Sequence, residues 1–144
     1  MIQIVSFIQI YQPIKRVFDF ISTPENDFQW QYGTLTSAPV SGSAAGLGAC
    51  FASTGHFMEY RVHSTFEVTE YEPHNQYGFR SLSGPLLSFT SYTLDIARGH
   101  TQVKLFMQAN IINLMGVNET VFEKKMKKQL KENLAMLKHI LEAR

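Results

Sequence analysis

A chain of 144 residues with 44% apolar content can bury a core of its own, and its formal charge of +1 gives no general reason to expect nucleic acid or an anionic membrane as a partner. The lone cysteine, Cys50, excludes an intrachain disulfide and fits a reducing compartment. The opening Met1-Ile2-Gln3-Ile4-Val5-Ser6-Phe7-Ile8 lacks the basic flank of a secretion signal. No apolar run approaches the ~18 residues of a membrane span, so the expectation is one soluble cytoplasmic domain over 1–144, with no stable membrane insertion.

Residues 2–11 are rich in Ile, Val, Phe and Tyr with polar residues between, which predicts a strand. Pro13 stops it and suits the first turn of a helix, whose apolar face carries Ile14, Val17, Phe18 and Ile21. Ser22-Thr23-Pro24-Glu25-Asn26 ends that helix, and a second short helix or turn carries Phe28, Trp30 and Tyr32.

From Gly33 the hydrophobic period changes to two. Segments 34–40, 47–56, 60–71, 76–82, 87–97 and 101–111 each predict a strand, and the short Gly-, Pro- and Asn-bearing connectors predict antiparallel neighbours. Val62, Phe66 and Val68 share a face, as do Tyr92, Leu94 and Ile96, and Val103, Leu105, Met107, Ala109 and Ile111; alternate positions hold Arg61, His63, Glu67, Thr93, Asp95, Gln102, Lys104 and Gln108. One apolar face and one wet face describe a sheet covered on one side.

Asn118 to Glu142 is the longest amphipathic stretch. Phe122, Met126, Leu130, Leu134, Leu137 and Leu141 recur at steps of three or four, with Val121 and Ile140 widening the stripe. Thr120 and Glu123 have capping-box spacing, which puts the start at Thr120. Seven basic and four acidic residues from Asn118 onward give +3 and leave −2 for the rest, the charge of a solvated helix face. So wide an apolar stripe needs a surface to cover. The predicted architecture is therefore α+β: a curved antiparallel sheet of about seven strands wrapped on the long C-terminal helix, with two short helices after the first strand. One helix seldom fills a curled sheet, and the remaining gap is a pocket.

Particular residues in this order resemble a known family. They are Pro13-Ile14-Lys15-Arg16-Val17-Phe18-Asp19-Phe20-Ile21 with Pro24-Glu25-Asn26 and Trp30, then Gly46-Leu47-Gly48 entering a strand, then Val68-Thr69-Glu70-Tyr71-Glu72-Pro73 before Phe79-Arg80-Ser81, and the final helix. The pattern resembles the START-like (SRPBCC, birch-pollen-allergen-like) superfamily, and within it the bacterial polyketide cyclase/dehydrase and lipid-transport family. The resemblance spans the chain and implies a helix-grip fold holding hydrophobic or amphipathic small molecules between the sheet and the last helix, with cyclisation or dehydration in a minority of members. Many relatives place an arginine or other polar residue just after the Gly-x-Gly equivalent; here Ala49-Cys50-Phe51 removes that anchor.

Around such a cavity Trp30, Phe79, Tyr92, Met107, Met115, Phe122 and Met126 are the expected lining, since methionines among large aromatics adapt to a ligand. Gly116 and the approach Asn113-Leu114-Met115 suggest a movable end. Tyr92 and His56 are the catalytic candidates; His56 shares parity with Cys50, Ala52 and Thr54, Phe51 has the other, and either face of 47–56 can be the inner one. Metal binding is not expected: His56 with Glu59, and His63 with Glu67, are close His/carboxylate pairs, but residues four apart on a strand lie ~13 Å apart. No cofactor motif is present. The leading expectation is a binding protein for a hydrophobic small molecule. A cyclase/dehydratase acting on a polyketide-like substrate, and an interaction module using an outer face around Phe106, are the alternatives. The oligomeric state is not encoded in any motif.

Overall fold

The computed structural model describes residues 1–40, 42, 45–57, 60–111 and 118–143. Strand β1 (Ile2–Ile10) is followed by helix α1 (Ile14–Ile21), a single 3-10 turn (Pro24–Asn26) and the one-turn helix α2 (Asp27–Trp30). Six strands come next: β2 (Thr34–Pro39), β3 (Cys50–Phe57), β4 (Tyr60–Glu72), β5 (Gln76–Ser83), β6 (Leu86–Ala97) and β7 (His100–Ile111). Helix α3 (Glu119–Glu142) closes the chain. All seven strands form one antiparallel sheet in the order β1-β7-β6-β5-β4-β3-β2. The period-two segments thus pair with their sequence neighbours, as short connectors demand. Only β1 crosses to the far side, where Ile4 pairs with Met107 and Ile8 with Val103.

The concave face takes the apolar parity. One cluster joins Val17, Phe18 and Ile21 of α1, Trp30 of α2, Phe51, Val68, Tyr77, Tyr92, Leu94, Val103 and Leu105 of the sheet, and Leu134, Leu137 and Leu141 of α3. A second joins Ile2, Ile4, Met107 and Ala109 to Phe122 and Met126 in the first half of α3, and Leu130 touches both. The stripe on α3 therefore reaches along nearly its full length, about 36 Å at 1.5 Å per residue.

Two boundaries differ from the sequence reading. The third strand begins at Cys50, because Gly46 and Gly48 take positive φ values (96° and 83°) and Ala49 N–H closes a turn onto the Gly46 carbonyl (3.0 Å). Helix α3 starts at Glu119 rather than Thr120. Asn118 is its N-cap, and Asn118 Oδ1 accepts from the N–H groups of Thr120 (2.9 Å) and Val121 (3.2 Å), so the Thr120 N–H is taken by Asn118 and not by the Glu123 side chain of a capping box. Ile96, placed by parity on the inner face, is 78% exposed beside the Arg98–Gly99 turn.

The helical layer is tied to the sheet by side chains as well as by its stripe. At one end Glu142 accepts from Tyr11 N–H (2.9 Å) and Lys138 Nζ (2.7 Å), while Gln12 Nε2 donates to the Leu141 carbonyl (2.8 Å). At mid-length Asn133 Oδ1 accepts from Tyr32 N–H (2.8 Å) and Gln129 Nε2 donates to the Tyr32 carbonyl (3.0 Å). Both backbone groups of Tyr32 are thereby satisfied by α3, which fixes the corner between α2 and β2.

Candidate functional site

Beside that corner the helix and sheet separate. A cavity of about 160 Å³ opens between Gln129 of α3, the Gln31–Thr34 corner, and the inner faces of β3 to β6. Its apolar wall is Phe51, Val62, Phe66, Phe79 and Leu86, and its small polar wall is Ser53, Ser64 and Ser88. Phe51 stacks on Phe66 (centroids 5.1 Å apart) and meets Phe79 edge-on at 5.2 Å. These contacts lock the aromatic wall in the offset and T-shaped arrangements that rings prefer.

The gap exists because short side chains face each other there. Ser53 sits opposite Ser64 and Ser37 across two strand pairs, and Gly55 sits opposite Val62. Gly55 also lies against Gly33: a Cβ on either glycine would collide with the other strand's backbone, at the Gly33 carbonyl or the His56 carbonyl respectively. Gly33 has φ 86°, open to glycine at little cost. The two glycines let β2 and the α2 corner close tightly on the cavity rim.

At the inner end stands Asp27, the first residue of α2 and only 8% exposed. Burial pushes its carboxyl well above the usual carboxylate range; the Ser37 hydroxyl opposes this, and the charge of Glu25 adds to it. Ser37 Oγ faces the carboxyl without the geometry of a full hydrogen bond, so it remains, with Trp30 Nε1, among the buried polar atoms lacking a partner. Tyr77 and Tyr92 lie close enough to feel the same charge. Burial first, then Asp27, holds both phenols far above the ordinary tyrosine value, so they are uncharged. Trp30 meets Tyr92 edge-on at 6.0 Å, and Tyr92 stacks on Tyr77 at 6.5 Å.

A second cavity, of about 300 Å³, lies towards α1 between Ser22–Glu25, Pro39, Ala45–Gly46, Ala49, Cys50, Val68, Tyr71 and Tyr77. Phe51 belongs to both cavities and stands between them.

The expected lining is dispersed. Phe79 is on the cavity wall. Tyr92 (3% exposed) lies within the core behind it, against Trp30, and Trp30 borders a shallow outer groove with Tyr32, Asn133 and Met136. Met107, Phe122 and Met126 fill the second core cluster instead of bordering the cavity, because the first half of α3 packs directly on β1 and β7. Met115, with the proposed movable approach through Gly116, lies outside the described residues. His56 is exposed and borders the cavity only at its rim: Phe51, Ser53 and Gly55 take the inner parity of β3, leaving Ala52, Thr54 and His56 on the outer one. The His63 ring bonds Thr54 Oγ1 (2.9 Å) and Glu67 bonds Arg80 (2.7 Å) on that outer face. Among the described residues no three His, Cys, Asp or Glu side chains gather where a metal would sit. Nor is any helix among them long and apolar enough to cross a membrane.

The sequence pattern of the polyketide cyclase / dehydrase and lipid transport family matches residues 1–142. The chain belongs to this family. Among solved structures, it superposes on a protein of Thermus thermophilus with TM-score 0.84 at 16% identity, covering 98% of this chain and 97% of the other. A START superfamily protein from Mycobacterium smegmatis gives 0.81 at 9% identity, covering 99% of both chains. Major latex-like protein 151 of Panax ginseng gives 0.76 at 10% identity, covering 96% of both. At such identities the likeness is one of fold: the seven-stranded curved sheet gripping a long C-terminal helix is the START-like architecture. No curated protein matches the sequence. Membership in the family is consistent with hydrophobic ligand binding in this fold.

Proposed function

We propose that the protein binds a hydrophobic or amphipathic small molecule in the cavity between the sheet and α3. The observation that carries this reading is the cavity itself, an aromatic wall of Phe51, Phe66 and Phe79 faced by serines and closed by Gln129 and the α2 corner. An apolar wall with a few convergent polar groups is the usual make-up of a ligand site. Affinity would come from burying ligand surface at roughly 25 cal/mol per Å², before the costs of association. Size narrows the ligand: an apolar cavity of about 150 Å³ holds one benzene ring, so 160 Å³ suits a ligand or ligand segment of about that bulk.

The two alternatives draw less support. A cyclase or dehydratase needs an acid or base that reaches the substrate. Of the two residues expected in that role, Tyr92 is sealed in the core and the His56 side chain faces outward, which leaves Asp27 as the acid that lines the cavity. An interaction module draws on the convex face, where Phe106 pairs with Val5 and lies 6.4 Å from Phe89, near the exposed Phe7.

Native mass spectrometry of protein purified from its own host tests the reading. The expected result is a stoichiometric apolar adduct, and Ser53→Leu, which fills the cavity, should remove it from a folded protein. An apo mass, together with no thermal shift from a panel of one-ring and two-ring apolar compounds, would overturn it.

A further inference from the structure

Resting on the cavity reading above, we propose that Asp27 is the cavity's polar recognition group, presenting a carboxylic acid hydrogen bond to the single carbonyl or hydroxyl of an otherwise apolar, uncharged ligand about one ring in size. Asp27 lines the cavity yet is 8% exposed, and a buried carboxylate normally requires a cation or several donors. Neither is provided. The ion pairs among the described residues are Met1–Glu119, Lys15–Asp19, Arg80–Glu67 and Lys138–Glu142, all elsewhere. Helix α2 has four residues, too few for its end to hold an anion.

The titratable groups acting on Asp27's surroundings are Glu25 from the preceding turn, Tyr77 from β5 and Tyr92 from β6; Ser37 reaches it from β2, and His56 stands at the cavity rim. Not one is a fixed positive charge. The neutral acid is therefore the form that fits, and burial of the carboxyl is consistent with it. A neutral carboxyl has one O–H to donate and a carbonyl oxygen to accept, which complements a ketone, ester or alcohol. The remaining polar groups of the wall, among them Gln31, Thr34, Ser53, Ser64, Ser88 and Gln129, carry no fixed positive charge, so a carboxylate or sulfate ligand is disfavoured. An ammonium ligand would have to ionise Asp27 beside Glu25 and lose its own hydration, so it is disfavoured.

Amide chemical-shift titrations with acetophenone, ethylbenzene and benzylamine separate these chemistries at nearly constant size. At about pH 5, where an ordinary aspartate is ionised, acetophenone should bind wild-type protein about tenfold more tightly than ethylbenzene, as one added hydrogen bond allows. Benzylamine should bind most weakly. Asp27→Asn keeps an N–H donor and should keep the ketone preference. Asp27→Leu should bind acetophenone and ethylbenzene equally; should that variant not fold, the wild-type ratio and Asp27→Asn still decide. Equal affinity for ketone and hydrocarbon in the wild type, or tightest binding of benzylamine, would overturn the assignment while leaving the cavity reading intact. No shift at the cavity residues with any probe would remove the cavity reading and this inference with it.

Discussion

Asp27 is a residue whose environment makes a thermodynamic statement. In the unfolded chain its carboxyl ionises near the ordinary value of 3.8, whereas the folded protein holds the proton to higher pH. Between those two values the folded state binds more protons, so this group's contribution to stability falls as pH rises, then levels off above the folded value. Asp27→Asn cannot ionise. It should match the wild type below about pH 4 and be the more stable protein at neutral pH, as denaturant midpoints at the two pH values will show. A wild type more stable than Asp27→Asn at neutral pH would mean that the folded protein stabilises the carboxylate. The sequence offered little to single this residue out, since an acidic residue opening a short helix is ordinary. It is buried in the fold, where Ser37 of β2, Tyr77 of β5 and Tyr92 of β6 come near it. Apart from Phe79, the cavity wall escaped notice for a related reason. Met107, Phe122 and Met126 are large, and large side chains fill space; the cavity opens where Ser53, Gly55, Ser64 and Ser88 leave it empty.

At the scale of elements, the site depends on how α3 holds the α2–β2 corner. Asn133 is buried (5% exposed) and its Oδ1 satisfies Tyr32 N–H, whereas Gln129 is half-buried and serves the Tyr32 carbonyl. Asn133→Ala leaves a backbone donor without its partner and should cost about 1–3 kcal/mol; Gln129→Ala should cost less, because water can replace its bond. Urea denaturation gives both values, and amide exchange at Tyr32 should accelerate more in Asn133→Ala than in Gln129→Ala. Equal exchange in the two would show that the corner is held by packing alone. Gly55→Ala tests the other side of the rim. Its Cβ meets the Gly33 carbonyl, so β2 must shift, and a loss of about 1–3 kcal/mol is expected. The elements themselves were legible: period two in the strands, period 3.6 in α3, and turn residues between them specify the order and the paired neighbours. The exact ends were not, because Asn118 and Thr120 are both good caps and only the hydrogen bonds of Asn118 choose between them.

For the whole molecule, the question is how a grip of this size accommodates a ligand larger than one ring. The two cavities, of about 160 and 300 Å³, are each at or below the low end of ordinary ligand pockets, which run from roughly 300 to 1,000 Å³. Phe51 lines both, held by stacking on Phe66 and edge contact with Phe79. If its ring alone divides them, removing it joins the two into one chamber running from the α2 corner towards α1. Phe51→Ala should then bind 2-acetylnaphthalene more tightly than the wild type does, while the lost ring contacts cost about 3–5 kcal/mol of stability. Calorimetric titration gives the affinity and denaturant unfolding the cost. Phe51→Leu, a smaller loss of volume, should show both effects in reduced measure and guards against outright unfolding of the alanine variant. A folded variant with unchanged affinity for the two-ring ketone and unchanged affinity for acetophenone would show that the cavities are separated by more than this ring, and would leave the cavity under Gln129 as a compartment for small ligands alone.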